Sequence, residues 1–115
     1  MDEKGRKFAR IVRAGDFLFV AGTTGQDIEN AKGNVEIQAR RIFKKLKLLL
    51  EESSSSLENV LSMTTYLTNF DDLPKVSSIR NEFMNSAAAG TVVQVSKLDG
   101  FAEVEVELVA LVGER

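Results

Sequence analysis

The segment GTVVQVSKLDGFAEVEVELVALV, residues 90–112, decides the fold of this chain. It contains two β-rich runs, residues 91–95 and 101–112, which are separated by the dipeptide Asp99-Gly100. This dipeptide suits a tight turn because glycine accepts positive φ. The segment therefore predicts a terminal hairpin.

The second run alternates, and alternate residues of a strand point to opposite faces of the sheet. One face is apolar throughout: Ala102, Val104, Val106, Leu108, Ala110 and Val112. The other carries three carboxylates before it becomes apolar: Phe101, Glu103, Glu105, Glu107, Val109 and Leu111. We therefore expect a central strand that begins beside water or a cavity and ends buried on both sides.

Composition limits the possible functions. A chain of 115 residues predicts a single domain, residues 1–115, that folds without a disulfide or a metal. It has no cysteine and no histidine, which excludes a Cys or His nucleophile, a thiol redox centre and the usual zinc sites. We predict no metal site.

Charge and hydropathy indicate where the protein works. The formal net charge is −2, which offers no electrostatic footprint for nucleic acid or an anionic membrane. The first residues, MDEKGRKFAR, lack the apolar core of a signal peptide, and the chain has no long apolar run. We expect a soluble cytoplasmic protein with neither a nucleic-acid nor a membrane partner.

Taken in order, the chain starts with a second predicted hairpin. Residues 8–13 alternate weakly, residues 17–21 are continuously apolar, and residues 14–16 form the turn. Because residues 17–20 offer bulk to both faces, this strand should be covered on both sides. The following GTTG, residues 22–25, lacks the Lys-Ser/Thr pair of a phosphate loop, so a turn that ends the strand is favoured over a phosphate site.

A helix is predicted from the N-cap Asn34 to about residue 52. Its apolar positions recur at helical spacing and predict a core-facing stripe: Val35, Ala39, Ile42, Phe43, Leu46, Leu49 and Leu50. Its basic positions fall mostly on the opposite side: Arg40, Arg41, Lys44, Lys45 and Lys47. A solvated face explains them better than a nucleic-acid site, because no aromatic platform for stacking bases lies near them.

The second half of the chain repeats the alternation of strand and helix. Residues 60–68 have the period of a strand. Asp71 or Asp72 is predicted to cap a second helix that ends near residue 85, with Pro74 in its first turn. Val76, Ile79 and Phe83 form its buried stripe.

The element order is therefore ββαβαββ, an α+β fold with two helices on one face of a mixed sheet. Several of its strands are apolar on both faces, so the uncovered face needs another layer. We expect a second copy of the chain to supply it, in a homo-oligomer that packs sheet to sheet.

Four stretches resemble the Rid family, also called the YjgF or L-PSP family: RAGDFLFVAGTTG, YLTNFDDLPKV, NEF and VVQVSKLDGFAEVEVELVAL, in that order. The resemblance implies a chorismate-mutase-like fold and a homotrimer with three clefts between subunits. It also implies a cofactor-independent hydrolase that converts 2-imino or 2-enamino acids to 2-oxo acids and ammonia.

The family's site residues match only in part. Its carboxylate-binding arginine falls on Gly90, its N-terminal tyrosine on Phe8, and its helix asparagine on Ser77. A guanidinium forms two parallel charge-assisted bonds to a carboxylate, which glycine cannot do. The resemblance retains the water-positioning glutamate as Glu105 and the glycine after the second strand as Gly22.

Three more assignments complete the predicted site. Glu105 is either an acid or base whose pKa partial burial raises, or one of three glutamates on a solvated strand face. Arg80 borders the buried stripe of the second helix, where it either extends to solvent or supplies positive charge to the cleft. Val92 is predicted to contact the substrate beside Gly90.

Three hypotheses follow. The chain is a Rid-family trimer that binds small carboxylate-type metabolites without the arginine-dependent deaminase activity, or a working imine or enamine deaminase with another anchor, or a chaperone-like interaction protein. Whether the protein is an enzyme is left open by the sequence.

Overall fold

A mixed sheet of five strands in the order β1-β2-β5-β3-β4 organises the described part of the molecule. The structure is a computed structural model that describes residues 8–25 and 28–113. Its main elements are β1 (Ile11–Ala14), β2 (Phe17–Thr23), α1 (Val35–Glu52), β3 (Val60–Leu67), α2 (Leu73–Phe83), β4 (Ala89–Gln94) and β5 (Val104–Leu111). The predicted ββαβαββ order and the α+β class are confirmed.

Helix α1 forms as its sequence predicts. The side-chain oxygen of Asn34 accepts a hydrogen bond from the backbone N–H of Ile37, which caps the first turn. The predicted stripe is buried except for Leu49, which packs at its edge. Phe43 stacks on Phe83 of α2 with the ring centroids 5.8 Å apart, so the two helices pack against each other as well as against the sheet.

Both helices cover the same face of the sheet, as predicted. The inward side chains of β2, β3 and β5 form the core with α1 and α2; they include Leu18, Val20, Met63, Leu67, Val104, Val106, Leu108 and Ala110. The burial of β5 alternates along its length, which confirms its predicted apolar face. No helix within the described ranges is long and apolar enough to cross a membrane.

The predicted terminal hairpin is wrong. β4 pairs in parallel with β3, and β5 lies between β2 and β3, antiparallel to both. Helix α2 supplies the crossover that parallel neighbours require, so β4 is placed at the edge beyond β3. Gly100 does have positive φ, at 58°, but it lies in the short 3-10 turn Asp99–Phe101 and does not join paired strands.

Several element starts also differ from the prediction: β1 begins at Ile11 rather than residue 8, and β4 at Ala89 rather than residue 91. β5 begins at Val104 because Phe101 adopts a positive φ of 65° inside the preceding turn, which a strand cannot accommodate. Asp72 occupies the N-cap position of α2, but its side chain makes no capping hydrogen bond. Instead, Asn69 accepts from the backbone N–H of Asp71 and starts a 3-10 turn that leads into the helix.

The face opposite the helices, called the outer face below, is uncovered in the single chain. On β2, Leu18 and Val20 are buried against the helices, whereas Phe17 and Phe19 are 45% and 48% exposed on the outer face. Val12, which pairs with Phe19, is 51% exposed beside them. The chain by itself therefore covers β2 on one side only, and the second layer expected for this strand stays a prediction.

Candidate functional site

Glu105 and Glu107 of β5 point to the outer face, Glu103 lies directly before that strand, and the three glutamates have different surroundings. Glu103 accepts a hydrogen bond of 2.7 Å from the backbone N–H of Gly33, which ties the strand to the loop before α1. Glu107 accepts a hydrogen bond of 2.5 Å from the hydroxyl of Tyr66 on β3. For Glu105, no hydrogen bond or ion pair is found among the described residues. Glu105 is thus the carboxylate of the three that is available to a ligand.

Burial raises the pKa of Glu105 above its ordinary value of 4.5, and the negative charges of Glu107 and Asp99 raise it further. Burial has this effect because it disfavours the charged form of a carboxyl group. A glutamate with a raised pKa can exchange protons closer to neutral pH. The environment of Glu105 therefore suits an acid or base and differs from that of a fully solvated strand residue.

Gly22 lies directly against this carboxylate. A Cβ atom built at position 22 would come within 2.8 Å of the carboxyl carbon of Glu105 and within 3.0 Å of both its oxygens. The register of β2 against β5 shifts between Val20 and Thr23, and Gly22 lies within that shift. The two matched family positions, Gly22 and Glu105, are thus brought together, and any side chain at position 22 would displace the carboxylate.

Tyr66 is a site residue that sequence reasoning missed. It pairs with Glu105 across β3 and β5, and its hydroxyl reaches diagonally to Glu107. The hydrogen bond to Glu107 raises the pKa of Tyr66, and burial and the two glutamate charges add to this effect. The alternation of β3 placed Tyr66 on this face, but the contact depends on the β3–β5 pairing, which the predicted hairpin left out.

A second group of predicted residues lies elsewhere. Arg80, Gly90 and Val92 line a cavity of about 320 Å³ between the C-terminal end of α2, the loop after it and β4. We call this cavity the edge cleft. Gly90 pairs with Met63, whose side chain points to the helix side of the sheet. The edge cleft and Glu105 are therefore on opposite faces of the sheet within one chain.

The two remaining predicted residues do not join either group. Phe8 is 89% exposed at the start of the described chain. Ser77 is half-buried on α2 and does not line the edge cleft. Among the described residues, no group of three or more carboxylates is arranged to hold a metal ion.

Two of the basic residues of α1 hold the fold together. Arg40 donates to both carboxylate oxygens of Glu82 at 2.8 and 3.0 Å, which links α1 to α2. Lys45 donates to the carbonyl of Thr24 at 2.6 Å, and burial lowers its pKa. The GTTG segment does not form the predicted turn: Gly22 and Thr23 belong to β2, which continues two residues beyond its predicted end.

Comparison with known proteins relates this geometry to a family. The family model described as endoribonuclease L-PSP matches residues 4–112. A RutC family protein of Pyrococcus abyssi is 32% identical over 107 residues, which cover 90% of this chain and 84% of that protein. A 2-iminobutanoate/2-iminopropanoate deaminase of Dermatophagoides farinae is 25% identical over 109 residues, covering 91% and 85%.

A solved structure has the same fold. A member of the YjgF/YER057c/UK114 family from Mycobacterium tuberculosis superimposes with a TM-score of 0.84 at 24% identity, over 96% of this chain and 91% of that one.

Proposed function

This chain belongs to the endoribonuclease L-PSP family, also called the Rid or YjgF family, and we propose that it forms a homotrimer that binds small carboxylate metabolites between its subunits. We further propose that it lacks the family's arginine-dependent imine deaminase activity. The observation that carries the proposal of binding between subunits is the separation of the predicted site into two groups on opposite faces of one sheet.

The uncovered outer face supports assembly. Phe17, Phe19 and Val12 are each about half exposed there, and Ala9, Ala21 and Val109 line a shallow depression of about 420 Å³ with Phe19 and Val12. Contiguous apolar surface of this kind is stabilised by contact with another subunit. Sheet-to-sheet packing with a second copy would cover this surface.

The geometry supports a site shared between subunits. Because the sheet separates Glu105 from the edge cleft within a chain, a ligand that touches both must lie between two subunits. Glu105 and Gly22 would form one wall, and Arg80 and Val92 the other. Equilibrium sedimentation at micromolar concentration should give a trimer, and a stable monomer would overturn both the assembly and the shared site.

Position 90 supports the proposed absence of deaminase activity. Hydrolysis of a 2-imino acid requires the substrate carboxylate to be held while water beside Glu105 meets the imine carbon. Loss of one charged, bidentate contact costs about 2–5 kcal/mol, which is roughly thirtyfold to several thousandfold in rate if the contact acts in the transition state. Phe8 lacks the hydroxyl and Ser77 lacks the amide of the matched family positions, which adds to the loss. A coupled assay with an L-amino-acid oxidase tests this.

The chain can bind 2-oxo acids without catalysing imine hydrolysis. Isothermal titration with 2-oxobutanoate should give saturable binding with one site per chain. If neither this compound nor other short 2-oxo acids bind, the metabolite-binding proposal fails and the interaction-protein hypothesis takes its place.

A further inference from the structure

The guanidinium of Arg80 has no carboxylate partner among the described residues. Its single described hydrogen bond joins its Nη2 to the side-chain oxygen of Asn81 at 3.2 Å. By contrast, Arg40 binds both oxygens of Glu82, and Arg13 lies 3.9 Å from Asp16. An anion that binds Arg80 would therefore break no ion pair found in the described structure.

Hydrogen bonds within the chain hold the wall of the edge cleft in place. The carboxylate of Glu58 accepts three hydrogen bonds from the loop after α2: from the backbone N–H of Asn85 at 2.9 Å, and from the backbone N–H and hydroxyl of Ser86 at 2.8 and 2.7 Å. Both Asn85 and Ser86 line the cleft. A preformed wall reduces the entropy lost on binding.

The lining of the cleft has two parts. Met63, Met84 and Val92 provide an apolar surface, and Arg80 is its one charged side chain. At Gly90, nothing lies within 4 Å of where a Cβ would be, so the glycine leaves the cleft open at its centre. A volume of about 320 Å³ is near the lower end of ligand pockets, which span roughly 300–1,000 Å³.

We infer that Arg80 is the residue that anchors the ligand's carboxylate in the edge cleft, with Met63, Met84 and Val92 contacting a short apolar tail. This inference rests on the proposed metabolite-binding function and deepens it by assigning the anchor. A guanidinium presents two parallel N–H donors that match the two oxygens of a carboxylate. One cation balances one negative charge, so a monocarboxylate fits better than a doubly charged phosphate.

The apolar part of the cleft offers a direct reporter. The chain has three methionines, and two of them, Met63 and Met84, line the cleft. In the methyl spectrum of the intact protein labelled at methionine, 2-oxobutanoate should shift the signals of Met63 and Met84. This measurement needs no variant, so it does not depend on any substitution being tolerated.

The anchor is tested by three variants with calorimetry. Arg80→Gln should weaken 2-oxobutanoate binding by about tenfold or more, since a hydrogen-bonded charge contributes about 1.5–3 kcal/mol. Arg80→Lys should recover part of the loss. Lys75→Gln removes the same charge from an exposed position on the same helix that does not line the cleft, and it should bind within about twofold of the unmodified protein.

The outcomes separate this inference from the function on which it rests. If 2-oxobutanoate binds but Arg80→Gln and Lys75→Gln weaken its affinity equally, Arg80 is not the anchor, and the metabolite-binding function stands. If 2-oxobutanoate shifts neither the Met63 nor the Met84 methyl signal, it binds outside the edge cleft and the inference is wrong. Tighter binding of inorganic phosphate than of 2-oxobutanoate would overturn the ligand class. If no carboxylate binds, both proposals fail.

Discussion

Gly22 and Glu105 are in such close contact that a methyl group at position 22 would lie 2.8 Å from the carboxyl carbon of Glu105. The backbone of β2 thus forms one side of the pocket that holds this carboxylate. Because the far end of a glutamate is flexible, it can move away at small energetic cost, but it then loses the environment that raises its pKa. The glycine therefore matters for the position of Glu105 more than for the stability of the fold.

Replacing Gly22 by alanine should change Glu105 without unfolding the protein. We expect the unfolding free energy to change by about 1 kcal/mol or less and the pKa of Glu105 to fall towards its ordinary value as the carboxylate moves into water. Carbon-detected NMR of the glutamate carboxyls measures this pKa. Gly90→Ala is the matched control, because a Cβ there meets nothing within 4 Å. Identical Glu105 titration in Gly22→Ala and the unmodified protein would contradict the contact.

Glu105 should make the folded state less stable as the pH rises. Its folded-state pKa is raised above the ordinary value of 4.5, so between these two values the folded protein holds the proton more tightly than the unfolded chain does. Stability is therefore highest below 4.5 with respect to this group and falls as the pH rises through the folded-state pKa. Glu105→Gln should remove that fall and be the more stable protein at neutral pH.

Urea denaturation across the pH range measures this difference. Glu29→Gln, at an exposed position away from the sheet, is the control variant. A Glu105→Gln variant whose stability follows the unmodified profile would show that Glu105 is solvated in the protein.

The short contact between Tyr66 and Glu107 can be observed by absorbance. Tyr66 is the chain's single tyrosine and there is no tryptophan, so the phenol titrates without interference. We expect its pKa to lie above the ordinary value of 10.0, and Glu107→Gln should lower it, because the phenolate then forms beside a neutral side chain. Glu103→Gln is the control, since that carboxylate binds the backbone of Gly33. Equal midpoints in both variants would exclude the contact.

Much of this architecture could be predicted from the sequence. The order of elements, the buried stripe of α1 and the two faces of β5 follow from local periodicity and from the cap at Asn34. These features depend on residues close together in the chain, for which sequence spacing is a good guide.

The pairing of strands could not be predicted from local patterns. Asp99-Gly100 has the composition of a hairpin turn and Gly100 has the positive φ of one, yet β5 enters the sheet between β2 and β3. Pairing depends on contacts between distant residues, and the crossover through α2 removes β4 from the reach of β5. The Tyr66–Glu107 contact was missed for the same reason, and so was the separation of Glu105 from Gly90.

An arginine at position 90 tests the proposed cause of the missing deaminase activity. A Cβ at Gly90 meets nothing within 4 Å, so the side chain of Gly90→Arg can start from this position without a clash, and circular dichroism checks that the variant folds. We expect it to raise imine deaminase activity only modestly, since Phe8 and Ser77 also differ from the matched positions. The triple variant with Phe8→Tyr and Ser77→Asn should be faster than Gly90→Arg alone. Equal rates for the single and triple variants would mean that these two positions do not act on the substrate.

The rate of 2-iminobutanoate and 2-iminopropanoate hydrolysis by the unmodified chain tests the account most directly. An L-amino-acid oxidase generates the imine, semicarbazide traps what is not hydrolysed, and semicarbazone formation is compared with 2-oxo acid release, with and without the protein. We predict that the unmodified chain leaves the rate of semicarbazone formation unchanged, whereas the triple variant lowers it. Strong suppression by the unmodified chain would contradict the account, and would show that another residue, with Arg80 the first to test, anchors the substrate carboxylate for catalysis.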